Sequence, residues 1–347
     1  MKKYNKILIV RTDRIGDVVL STSVIKVLRE AYPQSWLAFM LRPSVSDILI
    51  DNPYLNEVIT YDKYHNHKSL LASYKFSQVL KERHFDLAII LHPSNRAHII
   101  TYLAGISERI GYDKNFSFLL TSKIKDEKAQ GLKHEAEYNF DLLKLISVNS
   151  ESRETHIEIS KIDVGFIDQL LLEKNIKEND KFIVIHPAAS CPSKIWPKDN
   201  FVGAIKQLLN NLKTKIILVC SEEYLTICQQ IRMEFPPGKV VIFNNLELKQ
   251  LAALFHKAAL LISNDSGPVH IAVAVGCPVI DIFGRSQPGL SPRRWGPLDK
   301  KSIVLHKPEN CQPCLAHNCQ RNYKCLKNIE VKDVVNAAEK LFKNFNN

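Results

Sequence analysis

Short apolar runs, each ending in a polar turn, recur along the whole chain with amphipathic stretches between them. The first is Ile7-Leu8-Ile9-Val10, within Lys6 to Val10. It has no polar alternation, as in a strand covered on both faces. It ends in Arg11-Thr12-Asp13-Arg14-Ile15-Gly16-Asp17. Val18, Val19, Val24, Ile25, Val27 and Leu28 then recur at helical spacing, and Pro33 follows the end of that helix. Trp36 to Leu41 and Glu57 to Tyr61 read as strands, with a short helix over Pro43 to Ile50 between them. Phe76 to Arg83 reads as helix and Phe85 to Leu91 as strand, closed by the turn His92-Pro93-Ser94-Asn95-Arg96. Ser107 to Tyr112 reads as a further strand, and a helix is expected from Leu132 to Leu145.

Residues 148 to 180 change character. Ser150 to Glu154 is polar, Asp163 to Asn175 is helical, and Lys177 to Asp180 is charged. The expected division is 1–160 and 161–330, with a last helix from Val331 to Phe345. The pattern restarts with Phe182 to Ile185 as strand and a turn at His186-Pro187-Ala188-Ala189-Ser190. A helix over Asp199 to Leu212, a strand over Ile216 to Val219, a helix over Glu222 to Phe235 and a strand over Val240 to Phe243 follow. Leu246 to His256 reads as helix, and Ala259 to Ile262 as strand. Strands alternating with helices predict an α/β protein with two parallel sheets.

Two turns stand out chemically. Ser263-Asn264-Asp265-Ser266-Gly267-Pro268-Val269-His270 joins a strand to a short Ala/Val-rich helix over Ile271 to Val275, and Val279 to Phe283 is the next strand. Gly267 lets a ligand approach the backbone, and Pro268 suits the first helical turn. Free N–H groups and the helix dipole there suit an anion, and His270 adds a donor. The same residues also read as a capped helix with no ligand, Asp265 or Ser266 being the cap. The Arg11 to Asp17 turn holds a single glycine, so it is no dinucleotide fingerprint. It offers two carboxylates, Asp13 and Asp17, each also readable as a helix cap beside the dipole. Arg96 and His98 stand where a phosphate or carboxylate could be held. His65 and His67 read as surface residues of a polar loop.

Composition narrows the class. At 347 residues and 45% hydrophobic, the chain can bury two cores. It has no apolar span long enough to cross a membrane, and Arg11, Asp13 and Arg14 interrupt the first apolar run too early for a signal peptide. Lys+Arg 47 against Asp+Glu 36 gives +11, which favours anionic partners. No nucleic-acid-binding motif accompanies that charge. Eight cysteines in such a chain read as thiols rather than disulfides. Four of them, Cys311, Cys314, Cys319 and Cys325, follow a C-x2-C-x4-C-x5-C order. They are open to three readings: a structural metal site, disulfide pairing or free thiols.

The turn Arg11 to Asp17, the segment Lys194-Ile195-Trp196-Pro197 and the turn Ser263 to His270 stand in one order. With Phe283-Gly284 and Pro288-Gly289, the chain resembles glycosyltransferase family 9, the ADP-heptose:lipopolysaccharide heptosyltransferases, over nearly its whole length. The resemblance implies the GT-B architecture, two Rossmann-like domains facing across a cleft. The acceptor would lie on the N-terminal domain and the nucleotide sugar on the C-terminal one, with the last helix packing back toward the first domain. It implies inverting transfer without a metal or cofactor, the donor being an ADP-sugar.

Residue by residue, Asp17 matches the catalytic aspartate and Lys194 the phosphate-binding lysine. Asp265, Ser266, Gly267 and His270 match the diphosphate and sugar turn, with Ser266 where many members have threonine. Ala189 and Ser190 fall where some members have two threonines, so one hydroxyl is missing. Glu222 or Glu223 matches a nucleotide-contacting glutamate, and Leu246 falls where the adenine is held. His134 and Arg96 are candidates for acceptor contacts. Asp265 is assigned to sugar hydroxyls or to ordering the turn, because a carboxylate repels a diphosphate. The resemblance places the protein at the cytoplasmic face of the inner membrane, acting on a lipid-linked anionic saccharide. A GT-B enzyme using another nucleotide sugar, and a non-catalytic nucleotide-sugar binding protein, are the alternatives.

Asp17 follows Gly16 and opens the helix, so it is read as the free carboxylate that takes the acceptor's proton. Asp13, flanked by Arg11 and Arg14, is read as the paired one.

Overall fold

The computed structural model describes residues 2–311 and 313–344; Phe345, where the last helix is expected to end, lies outside them. The chain divides into two compact units, Met1–Glu158 and Ile159–Asn347. Each is a six-stranded sheet, parallel throughout, with helices between its strands.

The first unit contains β1 (Lys6–Val10), β2 (Trp36–Leu41), β3 (Glu57–Thr60), β4 (Leu87–Ile90), β5 (Glu108–Asp113) and β6 (Ser122–Lys125). Their order is β3-β2-β1-β4-β5-β6. Central β1 pairs on both sides, Ile7 with Leu37 and with Leu87, and its apolar run is fully buried. The second unit repeats this winding with β7 (Phe182–His186), β8 (Lys215–Cys220), β9 (Val240–Asn244), β10 (Leu260–Asn264), β11 (Val279–Phe283) and β12 (Ile303–His306). Its order is β12-β11-β10-β7-β8-β9. In both sheets the winding reverses between the first and fourth strands of the unit. Open parallel sheets bind ligands beyond the carboxyl ends of the strands at that switch point. The two turns singled out above follow β1 and β10, one at each switch point.

The helix Val331–Asn344 packs on Lys198–Asn211 within the second unit, burying Val334, Val335 and Ala338. Trp196 is fully buried there, its Nε1 donating to the Ile329 carbonyl at 2.8 Å. Among the described residues, no helix is long and apolar enough to cross a membrane.

The structure differs from the sequence reading mainly at edges and helix starts. β6 and β12 were not expected. Both are edge strands; β6 alternates exposed and half-buried residues and carries no apolar run, whereas β12 does carry one, Ile303-Val304-Leu305, on half-exposed residues. The helix Asn95–Leu103 was also missed; it is set by Ser94, whose side chain accepts from the Ala97 N–H. The helix expected from Phe76 begins at Leu70, capped by Ser69, while Leu70 and Leu71 stay exposed. The helix expected from Glu222 starts at Leu225 after a 3-10 turn.

Candidate functional site

Arg11 sits at the carboxyl end of β1 and is 1% exposed. A buried guanidinium needs counter-charges and acceptors, and the fold supplies them. Its Nε donates to Asp13 at 2.8 Å, one terminal nitrogen reaches Asp17 at 2.5 Å, and both terminal nitrogens reach Glu135 Oε1 at 3.0 Å. Lys128 also donates to Glu135 at 2.9 Å and to the Leu91 carbonyl at 3.1 Å. His92, just beyond β4, lies 3.2 Å from the second oxygen of Asp13. Burial, then the charges of Arg11 and Lys128, lowers His92 to about 4, so it is neutral at pH 7.

This corrects the sequence reading of the two carboxylates. Arg11 holds both, and exposed Arg14 takes no part. They still differ. Each Asp13 oxygen has a partner, Arg11 or His92, whereas Asp17 is bonded through Oδ1. Burial is the largest effect on Asp17, and the neighbouring Asp13 charge adds to it. Together they raise its pKa despite Arg11. Three carboxylates against two cations leave one negative charge in excess, and a group drawn toward its protonated form is the physical consequence.

In the second unit, β10 ends at Asn264 and the helix Gly267–Ala274 begins three residues on. Asn264 braces the turn: Oδ1 accepts from the Trp196 N–H at 3.0 Å, and Nδ2 donates to the Pro187 carbonyl at 2.7 Å. Trp196 thereby fixes the segment that carries Lys194. Lys194 Nζ lies 3.2 Å from Asp265 Oδ2, and Arg285 donates to the same oxygen. Ser263 and Ser266 each lie 3.3 Å from His186 Nδ1 and 3.1 Å from one another. Burial lowers His186 to about 4, so this cluster is neutral. Ser266 and Gly267 present the helix N-terminus beside two cations, while His270 is buried one turn in. Asp265 is thus the anchor of both cations, which accords with ordering the turn.

Two residues of this cluster were missed from sequence. Arg285 follows Phe283-Gly284 and is buried against Asp265; its place just past a strand end was the available signal. Asp281, on β11, is fully buried, and neither of its oxygens has a hydrogen-bond partner among the described residues. Burial and the Asp265 charge raise its pKa well above the usual carboxylate range. An aspartate inside the otherwise apolar run Val279 to Phe283 was the available signal.

The remaining candidates are spread out. Glu222 accepts from Asn245 at 2.8 Å and Asn244 at 3.3 Å, at the end of β9, and half-buried Leu246 is next in the chain. Glu223 instead interacts with Tyr224. Ser190 is exposed on the turn after β7. Arg96 is turned away from an anion-holding role: it donates to the carbonyls of Lys63, His67 and Lys68 and pins that loop. His98, read as a possible anion ligand, has no exposed surface. His134 caps the helix Glu135–Leu143, its Nδ1 accepting from the Ala136 N–H at 3.2 Å. His67 stacks on Tyr61 with centroids 5.0 Å apart.

The four late cysteines are free and half-buried. All four line one cavity of about 270 Å³. Burial, then Cys319, Cys314 and Cys311, pushes the Cys325 thiol up.

Residues 73–324 match the family model described as glycosyltransferase family 9 (heptosyltransferase). The lipopolysaccharide core heptosyltransferase OpsX of Haemophilus influenzae is 27% identical over 313 residues, spanning 88% of this chain and 85% of that protein. The crystal structure of a family 9 glycosyl transferase from Veillonella parvula superposes with a TM-score of 0.91 at 24% identity, over 99% of both chains. The E. coli ADP-heptose lps heptosyltransferase II superposes with a TM-score of 0.80 at 20% identity, over 99% of this chain and 100% of that one. Two doubly wound parallel sheets are the GT-B fold of these neighbours, and a family match spanning most of the residues goes with them. This chain belongs to glycosyltransferase family 9, the heptosyltransferases, and is a glycosyltransferase.

Proposed function

We propose that this protein transfers a heptose from ADP-heptose to a lipopolysaccharide inner-core acceptor, with inversion at the anomeric carbon and without a catalytic metal ion. The observation that carries the reading is the convergence of Lys194 and Arg285 on Asp265 Oδ2, beside a helix N-terminus. As the glycosidic bond breaks, negative charge grows on the departing diphosphate. Lys194, Arg285 and the N–H groups near Gly267 supply fixed positive charge for it. In the free protein Asp265 holds the two cations in place; with donor bound they reach phosphate oxygens, and Asp265 turns to sugar hydroxyls. Glu222, held by Asn244 and Asn245, and Leu246 serve the nucleoside. Asp17 takes the proton of the acceptor hydroxyl as its oxygen attacks the anomeric carbon. The name of the E. coli structural neighbour, an ADP-heptose transferase, supports the choice of donor.

Incubation with ADP-heptose and a heptose-deficient lipopolysaccharide core, in the presence of EDTA, is expected to add one heptose and release ADP. ADP is expected to raise the melting temperature more than UDP or GDP does. A larger shift with UDP would overturn the donor assignment, and strict dependence on an added divalent ion would overturn the metal-free mechanism.

The same reading puts the enzyme at the cytoplasmic face of the inner membrane, where a lipid-linked anionic acceptor is presented. The net charge of +11 supports peripheral attachment. Co-sedimentation with anionic vesicles is expected at low salt and should fade as ionic strength shortens the Debye length. No co-sedimentation at low salt would overturn it.

A further inference from the structure

We propose that one rim of the first unit, the 63–75 segment with Phe118 beside it, docks on an anionic lipid surface and inserts Leu70, Leu71, Tyr74 and Phe118 among the headgroups. The helix Leu70–Lys81 begins with its polarity inverted. It buries Ser73 and Ser77, while Leu70 and Leu71 are 82% and 64% exposed and Tyr74 is exposed beside them. A helix that meets only water and its own core shows the opposite pattern. Phe118, 74% exposed, follows β5 with its ring 5.6 Å from that of Phe116. Leucines and aromatic rings presented together suit the boundary between headgroups and acyl chains.

Charge selects the partner. No Asp or Glu occurs from Lys63 to Lys81, and Lys68 and Lys75 lie between them. Apolar side chains set among lysines supply the two signals that peripheral attachment needs, insertion and attraction to anionic headgroups. Tyr64, also exposed, has Arg42 and Lys63 at 5.8 and 5.2 Å from its ring centroid, so ring and cations stand at one level. The helix Lys161–Glu173 in the second unit makes the contrast. It exposes Ile162, Phe166 and Leu172, but it also carries Asp163, Asp168 and Glu173 against Lys161, and an anionic surface repels that balance.

The topology puts this rim beside Asp17. All six strands of the first sheet are parallel, so their carboxyl ends share one edge. The 63–75 segment follows β3, Phe118 follows β5 and Asp17 follows β1. The turn after β4 ties the three together. Arg96 donates to the carbonyls of Lys63, His67 and Lys68, Asn115 donates to the Pro93 carbonyl, and His92 lies 3.2 Å from Asp13. A docked rim therefore brings the lipid–water boundary to the edge that carries the carboxylates. That consequence rests on the lipid-linked acceptor proposed above, whereas binding of the rim to lipid does not.

The probe is a vesicle of phosphatidylglycerol and phosphatidylethanolamine, which holds no saccharide, so binding reports lipid rather than acceptor. The triple variant Leu70→Ser, Leu71→Ser, Tyr74→Ser is expected to partition about tenfold or more weakly than the unaltered protein, given the apolar surface withdrawn. Ile162→Ser with Leu172→Ser should partition normally. Lys63→Gln, Lys68→Gln, Lys75→Gln should flatten the salt dependence of binding. Should the triple variant fail to fold, Leu71→Trp decides: its added emission should shift to the blue when vesicles are mixed in. Equal partitioning of the triple variant, or no blue shift, overturns the rim while leaving peripheral attachment through another face open to the unaltered protein's own binding. A dimer in sedimentation velocity that the triple variant abolishes, with vesicle binding unchanged, makes the rim a contact between copies and overturns the proposal as well. With acceptor embedded in vesicles the triple variant should turn over more slowly, and with a deacylated, soluble acceptor at the normal rate; equal loss on both overturns the link to Asp17.

Discussion

Replacing Asp17 with asparagine is expected to lower kcat about 100-fold or more, the scale of a lost general base, while the ADP-induced thermal shift stays unchanged. Asp17 Oδ1 is bound by Arg11, and its other oxygen accepts no hydrogen bond from the described residues. That second oxygen is the one available to an incoming hydroxyl. Asp13 has both oxygens engaged, by Arg11 and by His92, so Asp13→Asn should act more mildly and mainly through folding or acceptor binding. The raised pKa of Asp17 adds a pH signature. A base works ionised, so acidification through a raised pKa removes activity. The acid limb of the kcat/KM profile, which reports the free enzyme, should therefore lie above the usual carboxylate range. Near-normal turnover in Asp17→Asn together with loss in Asp13→Asn would reverse the two roles.

The buried halves of both sheets were legible because parallel strands covered on two faces need unbroken apolar runs. β1, β7 and β8 read directly for that reason. The edge strand β6 was not legible, since one side faces solvent and polar residues are tolerated there, whereas the short run Ile303-Val304-Leu305 of β12 was legible and was passed over. The site split along the same line. Asp17, Lys194 and the turn from Asp265 to His270 each lie within a short motif, so local spacing and family resemblance could single them out as candidates. Partnerships across the fold left no such trace. Nothing local says that Arg11 answers to Glu135, 124 positions away, or that Arg285 crosses to Asp265, 20 positions back. The reading of Asp17 as unpaired failed for this reason: it weighed the charges adjacent in sequence and counted Arg14, whereas β1 ends with Arg11 turned into the protein. His134 and Arg96 look equally polar in sequence, but the fold uses one as a helix cap and the other as a loop clamp.

Replacing Arg11 with methionine is expected to destabilise the protein by about 3–5 kcal/mol, the cost of removing one partner from a buried ion cluster. Methionine keeps much of the side chain's apolar length, so the effect reports charge and hydrogen bonding rather than an emptied core. Hydrogen bonds to five partners vanish at once: Asp13, Asp17, Glu135, Asn139 and the Leu91 carbonyl. Glu135 is fully buried and would keep Lys128, but Asp13 and Asp17 would face each other with no guanidinium between them. Their mutual repulsion should push the Asp17 pKa higher still, moving the acid limb of the activity profile upward in whatever protein remains folded. The measurement is the midpoint and slope of urea unfolding. A second variant, Arg11→Met with Glu135→Gln, separates cause from bulk damage. It removes one carboxylate along with the cation, so part of the lost stability should return if uncompensated charge is the reason. A loss within about 1 kcal/mol for Arg11→Met, the scale of an exposed pair, would mean that solvent rather than Arg11 balances the carboxylates at the end of β1.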